Sequence, residues 1–181
     1  GQYARGDARH IPHDITDLQE RSHSPLLVAL EWLLRLPQQR CRLSELRDLL
    51  DVPAIAGRFG VDAADLPRLA QWMTGAGVRW GLHAEQRESL GLGACGSVNT
   101  WAFGLRRMLL GYASGDAAPA WDEIEPYPEV GGLDATLAGT LAALLDALAQ
   151  WWGSASTAAT PTAWAEHFRQ LLATFFSATD E

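Results

Sequence analysis

No lysine occurs anywhere in the 181 residues; all fourteen basic side chains are arginine. A P-loop needs a lysine on the phosphates, and a Schiff-base enzyme needs one as its nucleophile. Neither chemistry, nor the lysine-dependent site of restriction-type nucleases, is complete within these residues. Cysteine is almost as scarce. Cys41 and Cys95 stand far apart in dissimilar surroundings, which reads as two buried free thiols in a reducing cytoplasm, not as a disulfide scaffold. No apolar run approaches the roughly 20 residues of a membrane-spanning helix, and the opening GQYARGDARHIPHD lacks the basic-then-apolar layout of an export signal. The expectation is a cytoplasmic location and no membrane partner. G-x-S-x-G, H-E-x-x-H and C-x-x-C are missing as well, as is any internal repeat.

What is present is a chain long enough to bury a real core, with 48% hydrophobic and 20% charged residues, as in ordinary globular domains. Its net charge of −8 is unevenly spread. Residues 1–47 hold seven arginines against six acids, 48–112 six against six, and 113–181 one against ten. Phosphate binding depends on clustered positive charge, so the last third is a poor nucleic-acid surface. A local arginine patch remains available in the first two thirds.

Periodicity predicts an all-α fold of about six to eight helices with long loops. We divide the chain into a lead-in, 1–24, and one helical domain, 25–181, comprising a subcluster over 25–82, a central helix over 99–112, an acidic loop over 113–132 and C-terminal helices over 134–177. Ser24 and Pro25 open a helix whose expected apolar face is Leu26, Leu27, Leu30, Leu33 and Leu34, ending at Pro37. A second follows Ser44, with Leu46, Leu49 and Leu50 inward. Pro53 opens a third, closed by Gly60 in a left-handed cap. Asp62 caps a fourth, with Leu66, Leu69, Trp72 and Met73 on one side. These short helices followed by GVRWGL read either as a packing unit or as a winged-helix module, with a small β element at 78–82 as the wing. Asn99 or Thr100 caps the central helix, whose expected stripe is Trp101, Leu105, Met108, Leu109 and Tyr112. Asp134 caps a long helix with Leu137, Leu141, Leu144, Leu145 and Leu148 inward and Trp151 or Trp152 at its end. Residues 153–160 read as a small-residue linker. Thr160 and Pro161 start the last helix, which presents Trp164, Phe168, Leu171, Leu172 and Phe175.

Each candidate site has a plainer reading beside it. Gly91, Gly93 and Gly96 match the G-x-G-x-x-G spacing of a dinucleotide turn, but the preceding HAEQRESL is charged and no buried strand leads in. A glycine-rich connection fits better, and no cofactor is expected. His10 and His13 lack further ligands at metal spacing. The acidic loop, with Asp122, Glu123, Glu125 and Glu129, reads as a solvated excursion held by Trp121, Ile124 and Tyr127 more readily than as a carboxylate active site around Glu123 and Glu125. His167 reads as a histidine at the core edge.

Five segments in order carry a resemblance: IPHDITD at 11–17, SPLLVALEWLLRLPQQRCRLSELRDLLDVPAIAGRFG at 24–60, LAQWMTGAGVRWGL at 69–82, NTWAFGLRRMLLGYA at 99–113 and PYPEVGGLDATLAG at 126–139. Together they resemble the RecC family, the γ subunit of bacterial exodeoxyribonuclease V, whose members are much longer. The resemblance implies an internal piece of an inactive superfamily 1 helicase scaffold, similar to its helical accessory 2B domain. For the parent complex it implies an ATP-dependent helicase and exodeoxyribonuclease that processes double-stranded DNA ends and forked DNA under Chi control in double-strand-break repair and recombination. RecB-like and RecD-like subunits are the implied partners. No individual site residue carries over.

Two functions follow as expectations. The first is a non-catalytic scaffold domain within that complex. The alternative is a stand-alone helical DNA-binding module using Arg79, Arg106 and Arg107, with Arg58 and Arg68 as further members, unless these arginines only cover a helix flank or pair with Glu85 and Glu88.

Overall fold

The computed structural model describes residues 24–115, 119–132 and 135–177. Among them the fold is all-α, as the periodicity predicts, with eight helices: α1 Pro25–Leu34, α2 Leu43–Leu50, α3 Pro53–Phe59, α4 Leu66–Gly75, α5 Ala84–Ser89, α6 Trp101–Ser114, α7 Ala135–Ala155 and α8 Pro161–Phe175. No helix there is long and apolar enough to cross a membrane. The lead-in, with His10 and His13, and the expected cap Asp134 lie outside the described residues.

The 21-residue α7 is the longest element. It packs against α6, α8, α3 and the short 3-10 turn at Leu36–Gln38. Its leucines recur at helical spacing, and Leu137, Leu141, Leu144, Leu145 and Leu148 are buried as expected. Trp151 closes that face, donating its indole N–H to the Leu33 carbonyl at 2.7 Å. The helix runs three residues into the stretch read as a linker. On α2, Leu46, Leu49 and Leu50 are inward as predicted. The Glu45 carboxylate accepts from the Arg42 backbone N–H at 2.8 Å and satisfies a free donor at the helix start. Gly60 ends α3 at φ +70°. Asp62 opens a turn, and α4 starts only at Leu66. Thr160 caps α8 by accepting from the Ala163 N–H at 3.3 Å.

Three predicted faces are rotated. In α1 the row Ala29–Leu33 faces the core, so Leu26, Leu27 and Leu34 are exposed. In α8, Leu171 and Phe175 are buried, whereas Phe168 and Leu172 lie outside. The central helix α6, capped by the Thr100 hydroxyl accepting from the Phe103 N–H, buries Trp101, Gly104, Met108 and Gly111 and leaves Leu109 and Tyr112 exposed. The cause is close approach. A Cβ on Gly104 would overlap the Val78 side chain, and one on Gly111 would overlap the Tyr127 carbonyl. Interior helical glycines each cost roughly 1 kcal/mol against alanine, and here they admit backbone where larger side chains would hold it off.

No strand forms at 78–82. Its backbone instead threads between two loops: the Arg79 carbonyl accepts from Leu43 N–H at 3.1 Å, Gly81 N–H donates to the Arg40 carbonyl at 2.8 Å, and Trp101 N–H donates to the Gly81 carbonyl at 2.9 Å. The wing of the winged-helix reading is therefore absent. A short helix, α5, occupies the HAEQRESL stretch that periodicity did not mark. Of the two cysteines, Cys41 is buried and Cys95 is exposed, which corrects the reading of both as buried.

Candidate nucleic-acid interface

The residues nearest a site are arginines, and the structure divides them. Arg87 of α5 is 2% exposed and points into the glycine loop. Its guanidinium donates to the carbonyls of Cys95 at 3.2 Å, Gly96 at 2.8 Å, Val98 at 2.8 Å and Trp80 at 2.8 Å. It also lies 4.1 Å from the centroid of the Trp80 ring. Gly81, at φ +80°, makes room: a Cβ there would sit 2.7 Å from the Arg87 Nε. Burial pulls the guanidinium below its usual range, yet arginine remains charged. The neighbouring Gln86, wholly buried, donates to the Gln39 carbonyl at 2.7 Å and accepts from Leu82 N–H at 3.1 Å. Trp101 donates its indole N–H to the Cys41 carbonyl at 2.8 Å, and burial pushes the Cys41 thiol up, so it is no nucleophile. The G-x-G-x-x-G stretch is thus a loop wrapped on an arginine, without the leading strand a dinucleotide site requires.

Arg107 is also turned inward. It donates to the Glu125 carbonyl at 2.8 Å and the Ala76 carbonyl at 2.9 Å, with the Glu125 carboxylate 3.8 Å away. Its own carbonyl accepts from Tyr127 N–H at 2.9 Å. The acidic loop is pinned at that point by Tyr127 and Val130, both buried. Trp121, expected to help, is 69% exposed at the tip of a tight turn in which Trp121 and Ile124 exchange both backbone hydrogen bonds. Glu129 is not simply solvated: it accepts from the Tyr127 hydroxyl at 2.8 Å and the Gln71 amide at 3.0 Å. Burial first, and then that hydrogen bond, push the Tyr127 phenol up to about 12. Among the described residues no group of histidine, cysteine and carboxylate side chains is arranged to hold a metal.

The other arginines face outward. Arg79 and Arg106 are exposed; Arg79 turns one N–H back to the Val78 carbonyl at 2.9 Å. The Arg106 charge helps to lower the Glu85 carboxyl, after larger contributions from a backbone hydrogen bond and from His83. Arg58 donates to the Ala173 carbonyl at 3.1 Å and fastens α3 to the end of α8, while Arg68 is exposed on the first turn of α4. Sequence reasoning missed Arg40 and Arg42. The bonds from Gly81 to Arg40 and from Leu43 to Arg79 bring their segment beside that of Arg79, and all three side chains are exposed. Among the described residues none of the three has a carboxylate within ion-pair distance. No sequence motif joins positions so far apart; only the threaded loop does.

The described residues thus set exposed guanidinium groups on adjacent segments, and similarity to known proteins gives their family. The family profile described as "RecBCD enzyme subunit RecC fourth domain" matches residues 23–181. The chain belongs to the RecC family. It is 39% identical over 168 residues to the RecBCD enzyme subunit RecC of Escherichia coli K12, covering 93% of this chain and 15% of that protein. The RecC subunit of Haemophilus influenzae is 32% identical over 171 residues, 94% of this chain and 15% of that protein. That of Mycobacterium tuberculosis H37Rv is 33% identical over 142 residues, 78% of this chain and 13% of that protein. The chain therefore spans about 15% of the length of the first two RecC relatives. As a RecC-family domain it places Arg107 in its own packing and leaves Arg79 and Arg106 on the surface.

Proposed function

We propose that these residues form a non-catalytic scaffold domain of a RecC-like subunit, similar to the 2B domain of an inactive helicase and held in one complex with RecB-like and RecD-like subunits. The complex unwinds and degrades DNA ends under Chi control, serving double-strand-break repair and recombination. The observation that carries this reading is the family match across residues 23–181. In support, the polar groups that could have formed a reactive centre, Gln86, Arg87, Arg107 and Glu129, are bonded to the fold itself. The test is a full-length RecC-like subunit carrying Arg87→Met. Assembly with the partner subunits should fall, while unwinding per assembled complex stays unchanged. ATP hydrolysis or DNA cleavage by the domain alone, abolished by a single substitution, would refute the proposal.

A second reading rests on Arg79 with Arg40 and Arg42, exposed on adjacent segments and without carboxylate partners among the described residues. They suit contact with a DNA backbone, Arg106 adding to the same charge. Binding of forked DNA across a salt series decides it: each lost phosphate contact lowers the slope of log affinity against log salt by roughly 1. Arg79→Ala should flatten that slope, and an unchanged slope would dispose of the reading.

A further inference from the structure

Helix α1, PLLVALEWLL, has almost no polar face to offer solvent. It buries Ala29 and Leu33 in the domain core, yet Leu26, Leu27, Val28 and Leu34 remain 41–53% exposed. A helix apolar all round is one covered on every side, and the described residues cover only one. The uncovered side borders a groove of about 360 Å³ between α1 and α2, lined by Pro25, Val28, Ala29, Trp32, Leu49 and Val52. Glu45 and Asp48 stand among its lining residues.

We propose that the groove seats an apolar segment with a basic flank, contributed by another domain of the same subunit. The inference rests on the reading of the chain as a scaffold domain. The carboxylates select a cationic flank and repel a nucleic-acid backbone, and the apolar floor selects aliphatic or aromatic side chains. The source follows from the chain itself: these residues span about 15% of the RecC relatives' length, and a tethered segment reaches the groove at a high effective concentration. Exposed apolar surface of this kind marks an interaction site.

The experiment uses a full-length RecC-family subunit carrying this domain, assembled with its partner subunits, with a benzophenone amino acid at position 28 or, for comparison, at position 166 on α8. Irradiation should give an adduct from position 28 and none from 166. Peptide mapping should find it within the same subunit, outside the present residues, beside a lysine or arginine. An adduct on a partner subunit, a second copy, DNA or residues 1–23, or no adduct, overturns the inference. Each of these leaves the scaffold reading standing, because that is judged by assembly. Val28→Asp should lower the melting temperature of the full-length subunit and Val28→Leu should not; a harmless Val28→Asp would also overturn it.

Discussion

Arg87 and Arg107 differ in nothing but position from Arg79 and Arg106 when the chain is read as letters, and two of these four stand side by side. In the structure the first pair turns inward onto backbone carbonyls, and the second pair faces water. The difference follows from what the neighbouring backbone lacks. Residues 93–98 and 121–127 pack close to helices, with few partners of their own for their carbonyls. Buried carbonyls must be paired, and a guanidinium fork pairs several at once. The inward arginines thus replace the ladder a sheet would have supplied. The outward ones close no such loop among the described residues: Arg79 turns a single N–H to the adjacent Val78 carbonyl, and Arg106 acts only through its charge on Glu85.

Five substitutions sharpen or break this contrast. Arg87→Met strips four carbonyls of their donor and should cost about 4 kcal/mol, read by denaturant unfolding. Arg87→Lys should recover little of it, since an ammonium lacks the fork. Gly111→Ala drives a methyl into the Tyr127 carbonyl, backbone against backbone, and should cost about 3 kcal/mol. Loss of the Arg107 contacts in the same variant, seen as faster amide exchange at Tyr127, would show that helix and loop dock as one unit. Arg107→Ala should cost about 2 kcal/mol by releasing the Glu125 and Ala76 carbonyls, against less than about 0.5 for the adjacent Arg106→Ala. Equal costs would erase the distinction between the two pairs.

The smallest effect is a pH dependence. The Tyr127 phenol titrates near 10 when unfolded and is raised to about 12 in the fold. Between those values the folded state holds a proton that the unfolded state has lost. Stability from this group is therefore complete below about pH 10 and declines as pH rises toward 12. Melting curves on either side of pH 10 should show the decline, and Tyr127→Phe should remove it.

Much of the helical framework was legible because leucine spacing carries it: α7 and α2 bury the leucines their periodicity names. The faces of α6 and α1 were not. A count of large apolar residues gives no weight to Gly104 or Gly111, which form the closest contact, nor to Ala29. Helix α5 escaped notice because its stability lies in Gln86 and Arg87 reaching other loops, a tertiary cause invisible in one alanine and five polar residues. The candidate interface was half legible. Charge counting found Arg79 and Arg106, but only the threaded segment 78–82 adds Arg40 and Arg42.

The glycine loop has a practical consequence. Its Cys95 is exposed, while the other cysteine is buried with its thiol pushed up, and the chain has no lysine to compete for an electrophile. A maleimide dye added to these 181 residues in their folded state would attach at Cys95, whose carbonyl accepts from the guanidinium of Arg87. The domain thereby carries its own reporter, and a change in that dye's emission on Arg87→Met would read out how far the loop's packing depends on that one guanidinium.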